Sequence, residues 1–155
     1  MNEVKLLFFS KKHTEKLLAF VLPPEQEQFT ALPNQKLEQI EGQFRVVIVS
    51  EDRPVGFFLL NSTERVKEFT DHADAMILTS LSINYVEQGK GFAKEAMGLL
   101  PVFLRREFPE CKEICLAVNQ KNLAAQQLYT KVGFVDTGKT IMGPVGEQRV
   151  LRLTL

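Results

Sequence analysis

The chain has 155 residues, enough for one domain with a real core and too few for two comfortable ones. Hydrophobic residues make up 45% and charged residues 25%, an ordinary balance for a globular domain. Lys+Arg and Asp+Glu both number 19, so no net field points to nucleic acid or an anionic membrane as a partner.

The opening run from Met1 to Phe9 has too short an apolar core for a signal peptide, and Glu3 precedes it. No apolar run approaches the roughly 20 residues that span a bilayer, so a cytoplasmic location is expected. Val4 to Phe9 reads as a strand. A helix is expected from Ser10 or Lys11, with Leu17, Leu18 and Val21 on its buried face and Pro23-Pro24 as its stop. Glu25 to Gln35 reads as an irregular loop leading to a short helix around Lys36–Glu41. Gln43 to Ser50 is the next strand. Glu51-Asp52-Arg53-Pro54 turns it back into Val55–Leu60 as a hairpin. Residues 61–73 are charged and loop-like, and Ala75 to Ile83 is another apolar strand.

That strand runs into Gln88-Gly89-Lys90-Gly91-Phe92-Ala93, and an amphipathic helix follows to about Arg106. Ala93, Ala96, Leu100, Phe103 and Leu104 form its expected core face, with a kink at Pro101, which has no N–H to give Met97. Glycines remove Cβ atoms where backbone must approach something closely. The first-turn N–H groups lack intrahelical partners, the helix dipole adds positive character, and Lys90 can add a full charge. Such a junction is a ready anion site, most often for phosphate. Taken alone, it is equally a plain strand-to-helix turn.

Glu113 to Val118 is a strand, and Asn122 to Val132 a helix closed by Gly133. Cys111 and Cys115 have poor spacing for zinc, with His13 and His72 far away, and neither a metal nor a disulfide framework is expected. Phe134–Thr140 and Gln148–Thr154 are the last strands, linked through Gly143-Pro144-Val145-Gly146. The order β-α-α-β-β-β-α-β-α-β-β describes a mixed α/β sandwich. Gly133 to Thr140 satisfies the pattern G-x-x-x-x-G-K-[ST], but a helix precedes it and a terminal strand follows. Phosphate binding by that pattern needs the reverse arrangement, so a nucleotide triphosphatase is excluded. A dinucleotide fingerprint starting at Gly89 fails because Lys94 replaces its third small residue.

Two segments together resemble motifs A and B of the GNAT superfamily of acetyl-CoA-dependent N-acetyltransferases. Gln88, Gly91 and Ala93 match Gln/Arg-x-x-Gly-x-Gly/Ala. Asn122, Ala125, Leu128, Tyr129, Gly133 and Phe134 match Asn-x-x-Ala-x-x-Leu-Tyr-x-x-x-Gly-Phe. The resemblance implies a mostly antiparallel sheet with a splayed parallel strand pair and helices on both faces, in one N-acetyltransferase domain over residues 1–155. It implies acetyl-CoA as donor, with Gln88, Gly89, Lys90, Gly91, Phe92 and Ala93 around its phosphates. Leu81, Ser82 and Ile83 would lie along the pantetheine arm, the N–H near Ile83 would serve as oxyanion donor, and the Asn122 amide would reach the cofactor.

The same resemblance makes Tyr129 the proton donor to the departing thiolate. Without it, a Leu-Tyr pair on an amphipathic helix is core packing with a wet hydroxyl. The implied reaction is direct attack by a primary amine of a small molecule or peptide in a ternary complex. Such an amine, with a pKa of about 10.4, is neutral in only about one molecule in 2,500 at pH 7, so deprotonation matters. Glu25, Glu27, Asp74 or water could assist, and the segment Leu22–Gln35, with Phe29 and Leu32, would shape the acceptor side. A non-catalytic acyl-CoA-binding or regulatory domain is the alternative. Monomer and homodimer are both compatible with the sequence.

Overall fold

The computed structural model describes residues 3–155; Met1 and Asn2, the start of the opening run, lie outside the described residues. Seven strands form one sheet: β1 Val4–Phe8, β2 Gln43–Ser50, β3 Arg53–Asn61, β4 Ala75–Ile83, β5 Glu113–Asn119, β6 Val135–Gly143 and β7 Gly146–Thr154. Their order across the sheet is β1-β2-β3-β4-β5-β7-β6. Every neighbouring pair is antiparallel except β4 and β5.

Side-chain alternation along β2 to β5 divides the core between the two faces. On one face lie α3, Phe92–Glu107, and α4, Leu123–Lys131. There Phe58, Leu60, Leu78, Ile114 and Leu116 meet Met97, Leu100, Phe103 and Tyr129. On the other face α1, Thr14–Leu18, helps set Leu17 and Phe20 on Val47, Val49, Phe57 and Leu59. A 3-10 turn at Glu64–Glu68 adds Val66 and, just beyond it, Phe69 over Ile77 and Cys115. The mostly antiparallel sandwich with helices on both faces is thus the fold the chain adopts.

Several local expectations are corrected. Leu18 and Val21 are more than half exposed, and Leu17, Phe20 and Leu22 are the buried residues. α1 ends at Leu18, so Val21 lies beyond the helix, where helical spacing no longer places side chains. No helix forms over 36–41. Instead Pro24, which read as part of a stop, begins α2 at Pro24–Glu27, and within the expected loop Pro33 begins a 3-10 turn at Pro33–Gln35. Proline's fixed φ suits the first helical position, which explains the reversal. Part of the loop over 61–73 is likewise the 3-10 turn at Glu64–Glu68. α3 runs uninterrupted through Pro101, and its buried face is Phe92, Ala96, Met97, Leu100, Phe103 and Leu104. Ala93 shares the angular position of that stripe, but at the first turn it borders the cleft and is only half-buried. The P-loop-like stretch forms the end of α4's turn and β6, with no helix after it.

Candidate active site

The site begins with a defect in the sheet. β4 and β5 pair at only three positions, Ala75–Glu113, Met76–Ile114 and Ile77–Cys115. β4 nevertheless stays paired with β3 out to Ile83, and β5 with β7 out to Asn119. The two strands therefore part beyond Ile77, leaving the facing backbone groups of 78–83 and 116–119 without strand partners. A bulge explains the parting. Ser80 has φ +58°, and the β3–β4 register shifts between Phe57 and Leu59. Bulges bend the strand that carries them and increase its twist.

A cleft of about 520 Å³ opens in the splay, lined by β4 from Leu78 to Ile83 and by β5 from Leu116 to Asn119. That volume lies within the range of small-molecule sites. At one end stands the start of α3. Gly91 is its N-cap at φ +83°, and Gly89 has φ +78°. A Cβ on either glycine would meet no atom within 4 Å, so both face open space. None of the N–H groups of residues 89–94 has a hydrogen-bond partner among the described residues. Six consecutive bare donors at the positive end of a 16-residue helix form an anion cradle.

Among the residues nominated from sequence, Leu81, Ser82, Ile83, Gln88, Gly89, Gly91, Phe92, Ala93, Asn122 and Tyr129 all line this cleft. Lys90 does not; its ammonium lies 2.9 Å from Glu87, which Arg53 also holds at 2.7 Å. Phe92 is 2% exposed, so its side chain belongs to the core and only its N–H faces the cradle. The Gln88 N–H bonds the Tyr85 carbonyl, and its side-chain amide bonds Gln26 and the Ile83 carbonyl. Gln88 therefore frames the turn. The Asn122 Oδ1 caps α4 by accepting from the Ala125 N–H at 3.2 Å, and its Nδ2 group has no partner among the described residues.

Tyr129 packs edge-on against Phe134, with ring centroids 5.4 Å apart. Its hydroxyl makes no hydrogen bond among the described residues. Burial pushes its pKa well above the ordinary value, so the phenol is protonated at neutral pH. The Ser82 hydroxyl is buried without a partner, a second unspent polar group on the cleft-lining strand.

Some cleft residues escaped the sequence reading. Lys94, on the first turn of α3, lines the cleft, and its position one residue past the motif was the available signal. Gln26 and Thr30 line it too; they fall inside the segment 22–35 expected to shape the acceptor side but were not singled out within it. Phe29 and Glu25 line the cleft as the acceptor-side reading implied, but Leu32 packs beneath α1 instead. Glu27 and Asp74 are not among its walls.

The sequence model described as the acetyltransferase (GNAT) family matches residues 14–134. The chain belongs to the GNAT family. As a family member it is an acetyl-CoA-dependent N-acetyltransferase, and the reading as a non-catalytic binding domain is not favoured. Over 154 residues the chain is 43% identical to the uncharacterized N-acetyltransferase YbbJ of Bacillus subtilis (strain 168), covering 97% of this GNAT chain and 96% of that one. Solved structures share the fold. A complex of aminoglycoside acetyltransferase AAC(6')-Ib with coenzyme A and kanamycin superposes with a TM-score of 0.79 at 20% identity, covering 98% of this chain and 95% of that one. An uncharacterized protein of Bacillus halodurans superposes with a TM-score of 0.80 at 11% identity, covering 99% and 84% respectively. No helix among the described residues is long and apolar enough to cross a membrane.

Proposed function

We propose that residues 1–155 act as a single, cytoplasmic N-acetyltransferase domain whose acceptor is a primary amine of a small molecule or peptide. The amine attacks the donor directly while both substrates are bound. The observation that carries this reading is the run of six bare N–H groups at 89–94, set beside the splay of β4 from β5. The cradle fits a diphosphate: its two glycines leave the space a Cβ would fill, and its donors are main-chain.

Gly89, Lys90, Gly91, Phe92 and Ala93 hold the phosphates through their N–H groups, with Lys94 as the nearby cation. The β4 edge at Leu81, Ser82 and Ile83, which has no strand partner on the β5 side although the Leu81 and Ile83 carbonyls accept from Thr30 and Gln88, holds the pantetheine arm, with the N–H near Ile83 as oxyanion donor. The Asn122 amide contributes its free Nδ2. Gln88 keeps the turn in shape. Acetyl-CoA, when bound, supplies the thioester carbonyl and a thiol leaving group. Tyr129, kept protonated by burial, gives its proton to the leaving sulfur, an effect worth about 10²- to 10⁴-fold. For the proton the amine must lose, the cleft offers Glu25, the one carboxylate among its walls, and water.

The test is to incubate the protein with acetyl-CoA and an amine panel while following free thiol. The panel holds kanamycin, spermidine and a lysine-bearing peptide. Kanamycin is included because the complex with AAC(6')-Ib shares the fold. Amine-dependent thiol release supports the proposal. Coenzyme A binding without release on any amine would move the protein to the non-catalytic class.

A further inference from the structure

One wall of the cleft lacks a core of its own. Residues 22–33 contribute Leu22, Glu25, Gln26, Phe29 and Thr30 to the cleft. Their one helix, α2, is a single turn with no buried residue. Leu22 and Pro33 are buried at the ends, and nothing between them is. Apolar packing is therefore not what holds this wall in register.

Polar contacts across long sequence distances hold it instead. The amides of Gln26 and Gln88 form a reciprocal pair, Gln88 Nε2 to Gln26 Oε1 at 2.7 Å and Gln26 Nε2 to Gln88 Oε1 at 3.1 Å. Gln88 Nε2 also donates to the Ile83 carbonyl at 2.9 Å. The Thr30 hydroxyl donates to the Leu81 carbonyl at 3.0 Å. At the near end, the Val21 N–H donates to Asn84 Oδ1 and the Tyr85 N–H to the Val21 carbonyl. Every one of these partners belongs to β4 or to the turn that leads into the anion cradle.

We infer that Gln26 is a positioning residue for the amine acceptor, acting through Gln88. The pair sets the distance between the acceptor wall and the strand edge at Leu81–Ile83, where the acyl donor is proposed to lie. A shift of the wall misplaces the amine without altering the cradle, because Gln26 gives nothing to residues 89–94. The inference rests on the acetyltransferase reading for its consequence, and on the geometry alone for its cause. The two are therefore tested separately.

Hydrogen–deuterium exchange on the full chain addresses the cause and needs no acceptor. Gln26→Ala should speed exchange within residues 22–33 about fivefold or more while leaving the exchange of residues 88–94 unchanged. Gln88→Ala should do the same to 22–33, and the double variant should add little to either single one. Gln26→Glu keeps an acceptor for the shorter bond, from Gln88 Nε2, and should restore much of the protection. Unchanged exchange in 22–33, or fully additive effects, would overturn the inference.

Kinetics address the consequence, with whichever panel amine the wild-type protein acetylates fastest. Gln26→Ala should raise KM for that amine about five- to tenfold, with KM for acetyl-CoA within about twofold of wild type. An equal rise in both constants would also overturn it. Failure of the wild-type protein to acetylate any amine would count against the proposed function, and the exchange data would still decide the coupling.

Discussion

Replacing Gly91 with alanine tests the anion cradle most directly. Gly91 caps α3 at φ +83°, and an added Cβ meets no protein atom within 4 Å. Inside the folded chain the substitution therefore costs only the strain of a left-handed alanine, about 1–2 kcal/mol. For a chain of this length that lowers Tm by about 2–4 °C per kcal/mol. The methyl group would, however, stand in the open space before the bare N–H groups. Losing one charge-assisted contact to a phosphate costs roughly 1.5–3 kcal/mol, or about 10- to 150-fold in affinity. Gly98 supplies the control. It lies within the same helix, is exposed, and also faces open space, but without a positive φ. Gly98→Ala should stabilise the fold by about 0.5–1 kcal/mol and leave the cradle alone. Calorimetric titration with coenzyme A, alongside thermal unfolding, reads both effects. If Gly91→Ala lowers Tm as expected but binds coenzyme A as wild type does, the cradle is not the phosphate site.

Tyr129→Phe removes a hydroxyl with no hydrogen-bond partner among the described residues while leaving the ring on Phe134, so unfolding should barely change. Turnover should fall about 10²- to 10⁴-fold with donor affinity kept, and wild-type kcat should show no alkaline fall from this group below about pH 10, since burial raises its pKa. Glu87 is held down to about 2 by hydrogen bonds from Arg53, reinforced by Lys90 against the opposing cost of burial. Its depressed pKa contributes stability above the unfolded value of about 4.5, and that stability is lost as pH falls from about 5 to 2. The contribution is about 2–3 kcal/mol. Urea titrations of wild type and Glu87→Gln should differ by that amount at pH 7 and converge near pH 2; parallel curves would remove Glu87 from acid unfolding. Cys111 and Cys115 are buried, and burial raises both thiol pKa values. A thiol reagent should label neither in the folded protein, and rapid labelling would contradict the packing of β5.

How much was legible follows from what each part is made of. β2 and β4 were readable to the residue, because apolar, β-branched runs bounded by turn residues have few alternatives. The glycine-turn end of the cleft was readable because it is built from backbone, and an open turn with positive φ calls for glycine at 89 and 91. The splay itself was not readable from residues: it depends on a bulge at Ser80, where nothing in the local sequence asks for a positive φ. It entered only through resemblance. The short helix expected over 36–41 was misplaced because the turns begin earlier, at Pro24 and Pro33, where a fixed φ suits a first helical position, while the sequence reading used proline only as a stop at Pro23-Pro24. The segment holding Gln26 and Thr30 was expected on the acceptor side, but these two residues could not be singled out because their partners lie 62 and 51 residues away.

The two lysines at the cradle turn this difference between backbone and side chain into a measurement. Lys90 sits inside the glycine turn and looks from sequence like the phosphate's cation. Yet its ammonium is 2.9 Å from the Glu87 carboxylate, outside the cleft, and its charge is largely answered there. Lys94, one turn on, lines the cleft and forms no ion pair among the described residues. A free cation at a helix N-terminus contributes to anion binding through a salt-screened field, whereas main-chain donors act mainly at contact. Lys94→Ala should therefore weaken coenzyme A binding several-fold more than Lys90→Ala and flatten the dependence of affinity on salt. Titrations at about 50 and 300 mM salt distinguish the two, since screening over that range shortens the Debye length from about 14 to 6 Å. If Lys90→Ala is the more damaging, the ammonium must leave Glu87 when the donor arrives, and the charge reading of this turn reverts to the one its sequence suggests.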